Sequence, residues 1–380
     1  MEVKTVYDCD FNDKVVILRA ELDVPIIKGV VESDNRLKTN LSTINYVLAN
    51  GARQVLIIGH LGRPNGVEQD KSLKPVHMCF EKLLAHEIKF LKNFNISRHE
   101  LPQNEKIVLF ENIRFFAGEK TNDKDFAKKI AALGDVFVNN CFSTMTRDHV
   151  SITGIAKILP AYAGLRVVGE LEALSIANKE SPKVLILGGA KMETKLPIIK
   201  EMLGKVDKIL LGSATVIDLL KSKGFYRGKV IYDYSNMEEL AEIADNKKII
   251  YPLDFACSKT KSAEGLIYKK VRDVESDDYV LDLGPKTTES YKRILASAKT
   301  IIWNGPLGFY EIKEFAHSSE NIAKFISTLD TFTLIGGGDT EEILKSVDVE
   351  NKINHICVGG GSMLKLLAGD KLPGLEVLKW

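Results

Sequence analysis

A chain of 380 residues exceeds the roughly 250–300 at which a single hydrophobic core stops growing, so two domains are predicted. With 45% apolar residues, 27% charged residues and a formal net charge of +1, the composition is that of a soluble globular protein and excludes wholesale attraction to nucleic acid or membrane. Five scattered cysteines give neither a disulfide framework nor a zinc spacing, and no apolar run reaches the ~20 residues of a bilayer span. The first residues are charged and lack the apolar stretch of a signal peptide, which fits a cytoplasmic protein.

In the first half, Lys14–Arg19 reads as a buried strand ending at Ala20-Glu21-Leu22-Asp23. Helical spacing over Leu37–Asn50, stopping at Gly51, predicts one helix. Gln54–Ile58 is a second strand, tipped by Gly59-His60-Leu61-Gly62-Arg63-Pro64, and helical sequence follows around 75–85. Ile107–Phe110 runs into Glu111-Asn112-Ile113-Arg114. Asp135–Val138 runs into Asn139–Thr144, with Arg147 and His149 close behind. Strands alternating with helices predict a parallel α/β sheet, whose ligands collect at the carboxyl ends of the strands. Arg36, His60, Arg63, Arg114 and Arg147 recur just past those ends, and arginine forks suit carboxylate and phosphate. This half reads as a receptor for a small, strongly anionic molecule, with Glu21 and Asp23 able to accept hydrogen bonds from its hydroxyls.

From Leu165 to Lys179 the spacing is helical and Ser181-Pro182 ends it. It reads either as a helix linking two domains or as a peripheral helix of one large domain. In the second half the strand ends carry glycine instead: Gly188-Gly189-Ala190-Lys191, Gly212-Ser213, Gly284-Pro285-Lys286-Thr287, Asn304-Gly305-Pro306-Leu307-Gly308 and Gly336-Gly337-Gly338-Asp339-Thr340, the last nearly copied at Gly359-Gly360-Gly361-Ser362. Glycines before a helix N-terminus let backbone N–H groups approach phosphates, and Asp339 suits a Mg²⁺ carried on those phosphates. A single such loop is also compatible with a plain strand–turn–helix connection. Lys191 and Lys195, spaced i and i+4, are predicted to share a helix face and reach phosphate oxygens. The P-loop, the dinucleotide fingerprint and the serine elbow are all absent.

The ordered motifs Arg19-Ala20-Glu21-Leu22-Asp23-Val24-Pro25, His60-Leu61-Gly62-Arg63-Pro64, Glu111-Asn112-Ile113-Arg114-Phe115, Gly188-Gly189-Ala190-Lys191, Leu283-Gly284-Pro285-Lys286-Thr287, Trp303–Gly308, Gly336–Thr340 and Lys371–Leu375 resemble those of the phosphoglycerate kinase family from end to end. The resemblance implies two parallel-sheet, Rossmann-like α/β/α domains joined by a linker helix and closing on a hinge. Residues 1–163 would form the 3-phosphoglycerate domain, 164–181 the linker and 182–366 the nucleotide domain, with the tail 367–380 returning to the first. It implies phosphoryl transfer between 1,3-bisphosphoglycerate with ADP and 3-phosphoglycerate with ATP, by a Mg²⁺-dependent monomer without nucleic-acid or membrane partners. Glu21, Asp23, Arg36, His60, Arg63, Arg114 and Arg147 would bind the glycerate substrate. Gly188, Gly189, Lys191, Lys195, Gly212, Asn304, Gly308, Glu311, Gly336, Gly337, Gly338, Asp339 and Thr340 would bind the nucleotide. Arg36, Lys191 and Lys195 would act on the phosphoryl group and Asp339 would hold the metal.

Against the family pattern, Glu21 stands for Asp, Asp23 for Asn, Gly59 for Ser, Thr146 for His, Ser213 for Gly, and Cys357-Val358 for Ser-Thr; Asn140-Cys141 replaces Asp-Ala. Anion-binding residues are retained while hydroxyl-reading ones differ, and Arg147 or Arg19 is expected to offset the charge of Asp23. Two alternatives remain open: a kinase for a different small phosphorylated acid, and a non-catalytic nucleotide-binding paralogue.

Overall fold

The computed structural model describes residues 2–189, 191–226, 228–229, 234 and 236–380. Two compact units divide the chain, Met1–Glu172 with Lys371–Trp380, and Ala173–Asp370.

The first unit holds β1 (Val15–Arg19), a small hairpin β2 (Ile26–Ile27) and β3 (Val30–Val31), then β4 (Gln54–Ile58), β5 (Lys89–Leu91), β6 (Ile107–Phe110), β7 (Val136–Asn139) and β8 (Ala161–Ala163). Six of these make one parallel sheet in the order β5-β6-β4-β1-β7-β8. Strands β1, β4, β6 and β7 are buried at every position, because helices cover both faces of a parallel sheet. Their Val and Ile content supplies that core, each fully buried side chain contributing about 1.5–3 kcal/mol.

The covering helices are α1 (Asn35–Lys38), α2 (Leu41–Ala49), α3 (Lys74–Leu84), α4 (Gly118–Thr121) and α5 (Lys124–Ala131). The single helix predicted from 37 to 50 is broken at Thr39-Asn40. Asn40 turns its amide onto the carbonyls of Arg36, Leu37 and Glu21, so its side chain takes acceptors that a continuous helix would use internally. The long helix α6 (Leu165–Lys179) follows β8. The C-terminal tail belongs to the first unit, where Lys4 donates to the Leu378 carbonyl and Gly374 to that of Met145.

The second unit contains β9 (Lys183–Leu187), β10 (Lys208–Leu211), β11 (Ile249–Ile250), β12 (Asp254–Ser258), β13 (Ile267–Lys270), β14 (Tyr279–Leu283), β15 (Thr300–Asn304), β16 (Phe332–Gly336) and β17 (His355–Cys357). The parallel sheet runs β11-β10-β9-β15-β16-β17. Strand β14, which reads as one more member of the glycine-tipped series, lies instead in an antiparallel sheet β13-β12-β14. Helices α7 (Met192–Leu203), α8 (Ser213–Ser222), α9 (Met237–Ala244), α10 (Pro285–Leu295), α11 (His317–Ile326), α12 (Gly338–Ser346) and α13 (Gly360–Ala368) belong to this unit, and α14 (Pro373–Glu376) to the first.

Candidate active site

In a parallel sheet every carboxyl end faces the same edge, so segments distant in sequence meet there. On the first unit that edge collects the residues after β1, β4, β6 and β7. Arg36 is not delivered by a strand end. It lies on α1, beyond the β2–β3 hairpin, and its guanidinium returns to the Asp23 carbonyl at 2.8 Å. The Asp23 carboxylate accepts from the Gly62 N–H at 2.8 Å, with Arg36 at 3.9 Å and His60 Nε2 at 3.7 Å. Its charge is therefore balanced by Arg36 and a backbone donor, not by Arg19 or Arg147. Arg19 is only 1% exposed and directs its guanidinium to Ser151, the Ala20 carbonyl and His60.

Arg114 donates to the Gly62 carbonyl at 2.6 Å, while its Nε is buried without a partner among the described residues. Burial, followed by the neighbouring Arg19 cation, lowers its pKa. Arg63 and Arg147 are exposed. Glu21 is buried: one carboxylate oxygen accepts from Ser143 at 2.6 Å and from the Cys141 thiol at 3.1 Å, and the other has no partner among the described residues. Two positions that differ from the family pattern, 21 and 141, thus form one contact set with Ser143. The extra methylene of Glu21 meets a hydroxyl and a thiol within the protein.

On the second unit the segment 304–309 crosses the ends of several strands. Gly188 donates to the Asn304 carbonyl and Gly189 to that of Pro306, both at 2.9 Å; Ser213 donates to Leu307 at 2.7 Å and Phe309 to Leu281 at 2.7 Å. These approaches require glycine: a Cβ at Gly188 would overlap the Pro306 carbonyl, and Gly189 and Gly337 have φ of +90° and +104°. Helices α7 and α12 begin without a side-chain hydrogen bond from their N-cap residues, and both follow strands of the parallel sheet, β9 and β16, at its carboxyl edge. The Gly284 end differs. The Asp254 carboxylate already caps α10 through Lys286 and Thr287, and a Cβ at Gly284 would strike it.

Lys191 is the extended, exposed residue preceding α7, so it does not share a helix face with Lys195. Lys195 donates to the Asn304 side-chain carbonyl at 2.8 Å, and Asn304 passes its amide to Gly336 at 2.7 Å. Burial lowers the Lys195 pKa to about 8, against the opposing pull of Asp339. Thr340 accepts from Gly305 at 2.8 Å, locking the two glycine turns together. Asp339 and Glu311 are exposed.

An open cleft of about 610 Å³ runs from Gly189 and Ser213 past Val280 and Leu281 to Gly308, Tyr310 and Asp339. Sequence reasoning missed its apolar wall. Phe309 and Tyr310, aromatics directly after a glycine turn, were an available signal; Val280 and Leu281 were hidden because β14 reads as a strand of the parallel sheet. Glu119 and Ser151, which underlie the cationic edge, carry no local signal, since an acid on a four-residue helix reads as solvated surface.

The sequence model of one family, described as "Phosphoglycerate kinase", matches residues 6–370. A protein named phosphoglycerate kinase from Dictyoglomus turgidum is 36% identical over 395 aligned residues, covering 100% of both chains. One from Fervidobacterium nodosum is 37% identical, covering 99% of this chain and 98% of its own. Among solved structures, phosphoglycerate kinase from Coxiella burnetii superposes with a TM-score of 0.87 at 30% identity, covering 99% of each chain. The Pyrococcus horikoshii enzyme gives the same TM-score and identity over 99% of this chain and 98% of its own. Agreement of sequence and fold from one end to the other leaves a single assignment: the chain belongs to the phosphoglycerate kinase family.

Proposed function

We propose that this chain transfers a phosphoryl group reversibly between 1,3-bisphosphoglycerate with ADP and 3-phosphoglycerate with ATP, as a cytoplasmic monomer. The observation that carries the reading is the contrast between a cationic strand edge on one unit and a glycine-lined cleft with uncapped helix N-termini on the other. A small polyanion suits the first, and a nucleotide, with phosphates and a flat base, suits the second.

On the first unit, Arg36, His60, Arg63, Arg114 and Arg147 would hold the phosphate and carboxylate of the glycerate. Asp23, the more exposed of the two acids, faces the same space and would meet the hydroxyl; Glu21 would act from below. On the second, Gly188, Gly189, Gly212, Gly308 and Gly336–Gly338 leave backbone room for the nucleotide, and Lys191 and Lys195 would contact its phosphates. Thr340 and Asn304 brace the turns, and Glu311 stands at the mouth of the cleft.

The exposed Asp339 carboxylate, in the first turn of α12, is a hard oxygen donor that fits Mg²⁺, which binds through one or two carboxylates plus substrate phosphates. That cation would supply neutralisation of phosphate charge. No general base is needed, because the acceptor carboxylate is ionised at pH 7. Its oxygen attacks the terminal phosphorus, the new O–P bond forms as the bridging bond to ADP breaks, and the protein positions the reactants and neutralises charge.

Five free cysteines fit a reducing compartment, and no helix among the described residues is long and apolar enough to cross a membrane. The test is turnover of 3-phosphoglycerate with Mg-ATP, with EDTA as the control. Turnover abolished by Lys195→Met and by EDTA supports the reading; nucleotide binding without turnover overturns it.

A further inference from the structure

Arg19 and His60 are both buried, 1% and 3% exposed, and the guanidinium Nη2 lies 2.7 Å from His60 Nδ1. A guanidinium has donors only and keeps its protons in proteins. At that distance Nδ1 must therefore be the acceptor, which places the ring proton on Nε2 and leaves the imidazole neutral. A half-turn of the ring would set a C–H against a buried guanidinium N–H and strand that donor, at a cost of about 1–3 kcal/mol.

The remaining contacts of Arg19 fix the direction of this bond. Its Nε donates to Ser151 Oγ at 3.0 Å and its Nη1 to the Ala20 carbonyl at 2.5 Å. Ser151 hands its own proton to Glu119 at 2.6 Å, and Glu119 also accepts from the Ser151 N–H at 2.9 Å. Glu119 is fully buried, and its carboxylate, which also lies 3.6 Å from His149 Nδ1, balances the buried guanidinium through the Ser151 hydroxyl. With each of its three nitrogens engaged and the residue only 1% exposed, Arg19 is not available to grip a ligand.

On its other side the ring presents Nε2 to the space occupied by Asp23 Oδ2, 3.7 Å away. The cations around the ring are Arg19, Arg36 and Arg114, with the His149 imidazole also nearby and Asp23 as the one acid in contact among the described residues. We infer that Arg19 is a positioning residue that fixes His60 in the Nε2–H tautomer, so that His60 meets the glycerate substrate as a directional hydrogen-bond donor and not as a positive charge. This role rests on the proposed function for its substrate, but not for its tautomer. Burial, then the surrounding cations, holds the His60 pKa well below the usual histidine range, which agrees with a ring that stays neutral. Anion attraction at this edge is then left to Arg36, Arg63, Arg114 and Arg147, and a change of pH across the ordinary histidine range does not alter the charge contributed by position 60.

The test is a ¹⁵N-histidine spectrum of the full-length protein, with the His60 signals assigned by their loss in His60→Gln. The expected result is an unprotonated Nδ1 and a protonated Nε2 from about pH 5 to about pH 8. A protonated Nδ1, or a ring that titrates within that range, overturns the inference. In Arg19→Lys, whose single nitrogen cannot reach the three sites that the guanidinium fork spans, His60 is expected to titrate or to mix tautomers. KM for 3-phosphoglycerate is then expected to rise about tenfold, the effect of one oriented hydrogen bond, with kcat and the nucleotide KM within about twofold. An unchanged tautomer in Arg19→Lys overturns the positioning role, and if that variant does not fold, the spectrum of the native protein decides. A correct tautomer in a protein that does not turn over 3-phosphoglycerate would overturn the proposed function and leave the Arg19–His60 relationship standing.

Discussion

The ammonium of Lys195 is bonded to the side-chain carbonyl of Asn304 at 2.8 Å, and burial lowers its pKa to about 8. Between about 8 and the ordinary value near 10.5 the native state has shed a proton that the unfolded chain keeps, so this group's contribution to stability rises with pH across that window. Nucleotide phosphates reverse the preference by favouring the ammonium. Nucleotide binding is therefore expected to take up a proton above about pH 8 and to weaken there by up to tenfold per pH unit. Calorimetry in buffers of different ionisation enthalpy checks this, and Lys195→Met should bind weakly with that dependence gone.

Asp23 places a carboxylate beside Arg36 and His60, in the space proposed for an anionic substrate. An unscreened repulsion at about 4 Å and an effective dielectric of 20 would be about 4 kcal/mol, but the Asp23 side chain is 37% exposed and paired, which reduces this to about 1 kcal/mol. Asp23→Asn keeps an oxygen for the Gly62 N–H and removes the charge. KM for 3-phosphoglycerate should fall roughly fivefold, because Asn keeps an acceptor for the substrate hydroxyl without the charge, and an unchanged or higher KM in steady-state kinetics would show that the substrate needs the carboxylate itself.

Two glycines of the nucleotide cleft separate packing from ligand access. A Cβ at Gly188 would overlap the Pro306 carbonyl, so Gly188→Ala should cost about 3 kcal/mol in urea unfolding. At Gly338 a Cβ meets nothing within 4 Å and the backbone is not left-handed. Gly338→Ala should leave stability within about 0.5 kcal/mol of the native protein and weaken nucleotide binding by obstructing a phosphate at the start of α12. Unimpaired nucleotide binding in Gly338→Ala would place the phosphates elsewhere.

Asp282 is buried beneath the cleft and accepts from the Ser318 N–H at 2.9 Å, from its hydroxyl and from the Leu283 N–H. Burial pushes its carboxyl up to about 7. The native state then holds a proton that the unfolded chain has lost between about pH 4 and pH 7, so stability from this group falls as pH rises through that window and is constant outside it. Subtracting the unfolding free energies of Asp282→Asn from those of the native protein at several pH values should isolate a slope amounting to a few kcal/mol.

Ser143 supplies the shortest hydrogen bond to the buried Glu21, at 2.6 Å, on a carboxylate whose other oxygen has no partner among the described residues. Ser143→Ala is expected to cost about 1–3 kcal/mol, read as a lowered Tm. Ser143→Ala combined with Glu21→Gln should recover part of that loss, because the unpaired charge is gone.

The alternation of buried strands with helices, the division between arginine-tipped and glycine-tipped strand ends, and the family itself were legible in the sequence. Each is local: β-branched runs buried on both faces mark parallel strands, and glycine marks the places where backbone approaches backbone. His60, Arg114 and Asp339 stood out as candidates for the same reason, since they sit within recognisable motifs at or near element ends, and Arg36 and Lys195 stood out as cations in the segments that follow such ends. The tertiary structure alone decided which partners these groups have. Gly62, 39 residues away in sequence, supplies the backbone donor to Asp23, whereas Arg19, only four residues off, turns into the protein toward Ser151 and Glu119. The structure also separated β14 from the parallel sheet and closed the Gly284 helix end with Asp254. A strand's pattern records that it is buried, not the neighbour it pairs with. A charge pattern likewise records that a group is ionisable, not which donor lies opposite, because both depend on register between segments that only the folded sheet brings side by side.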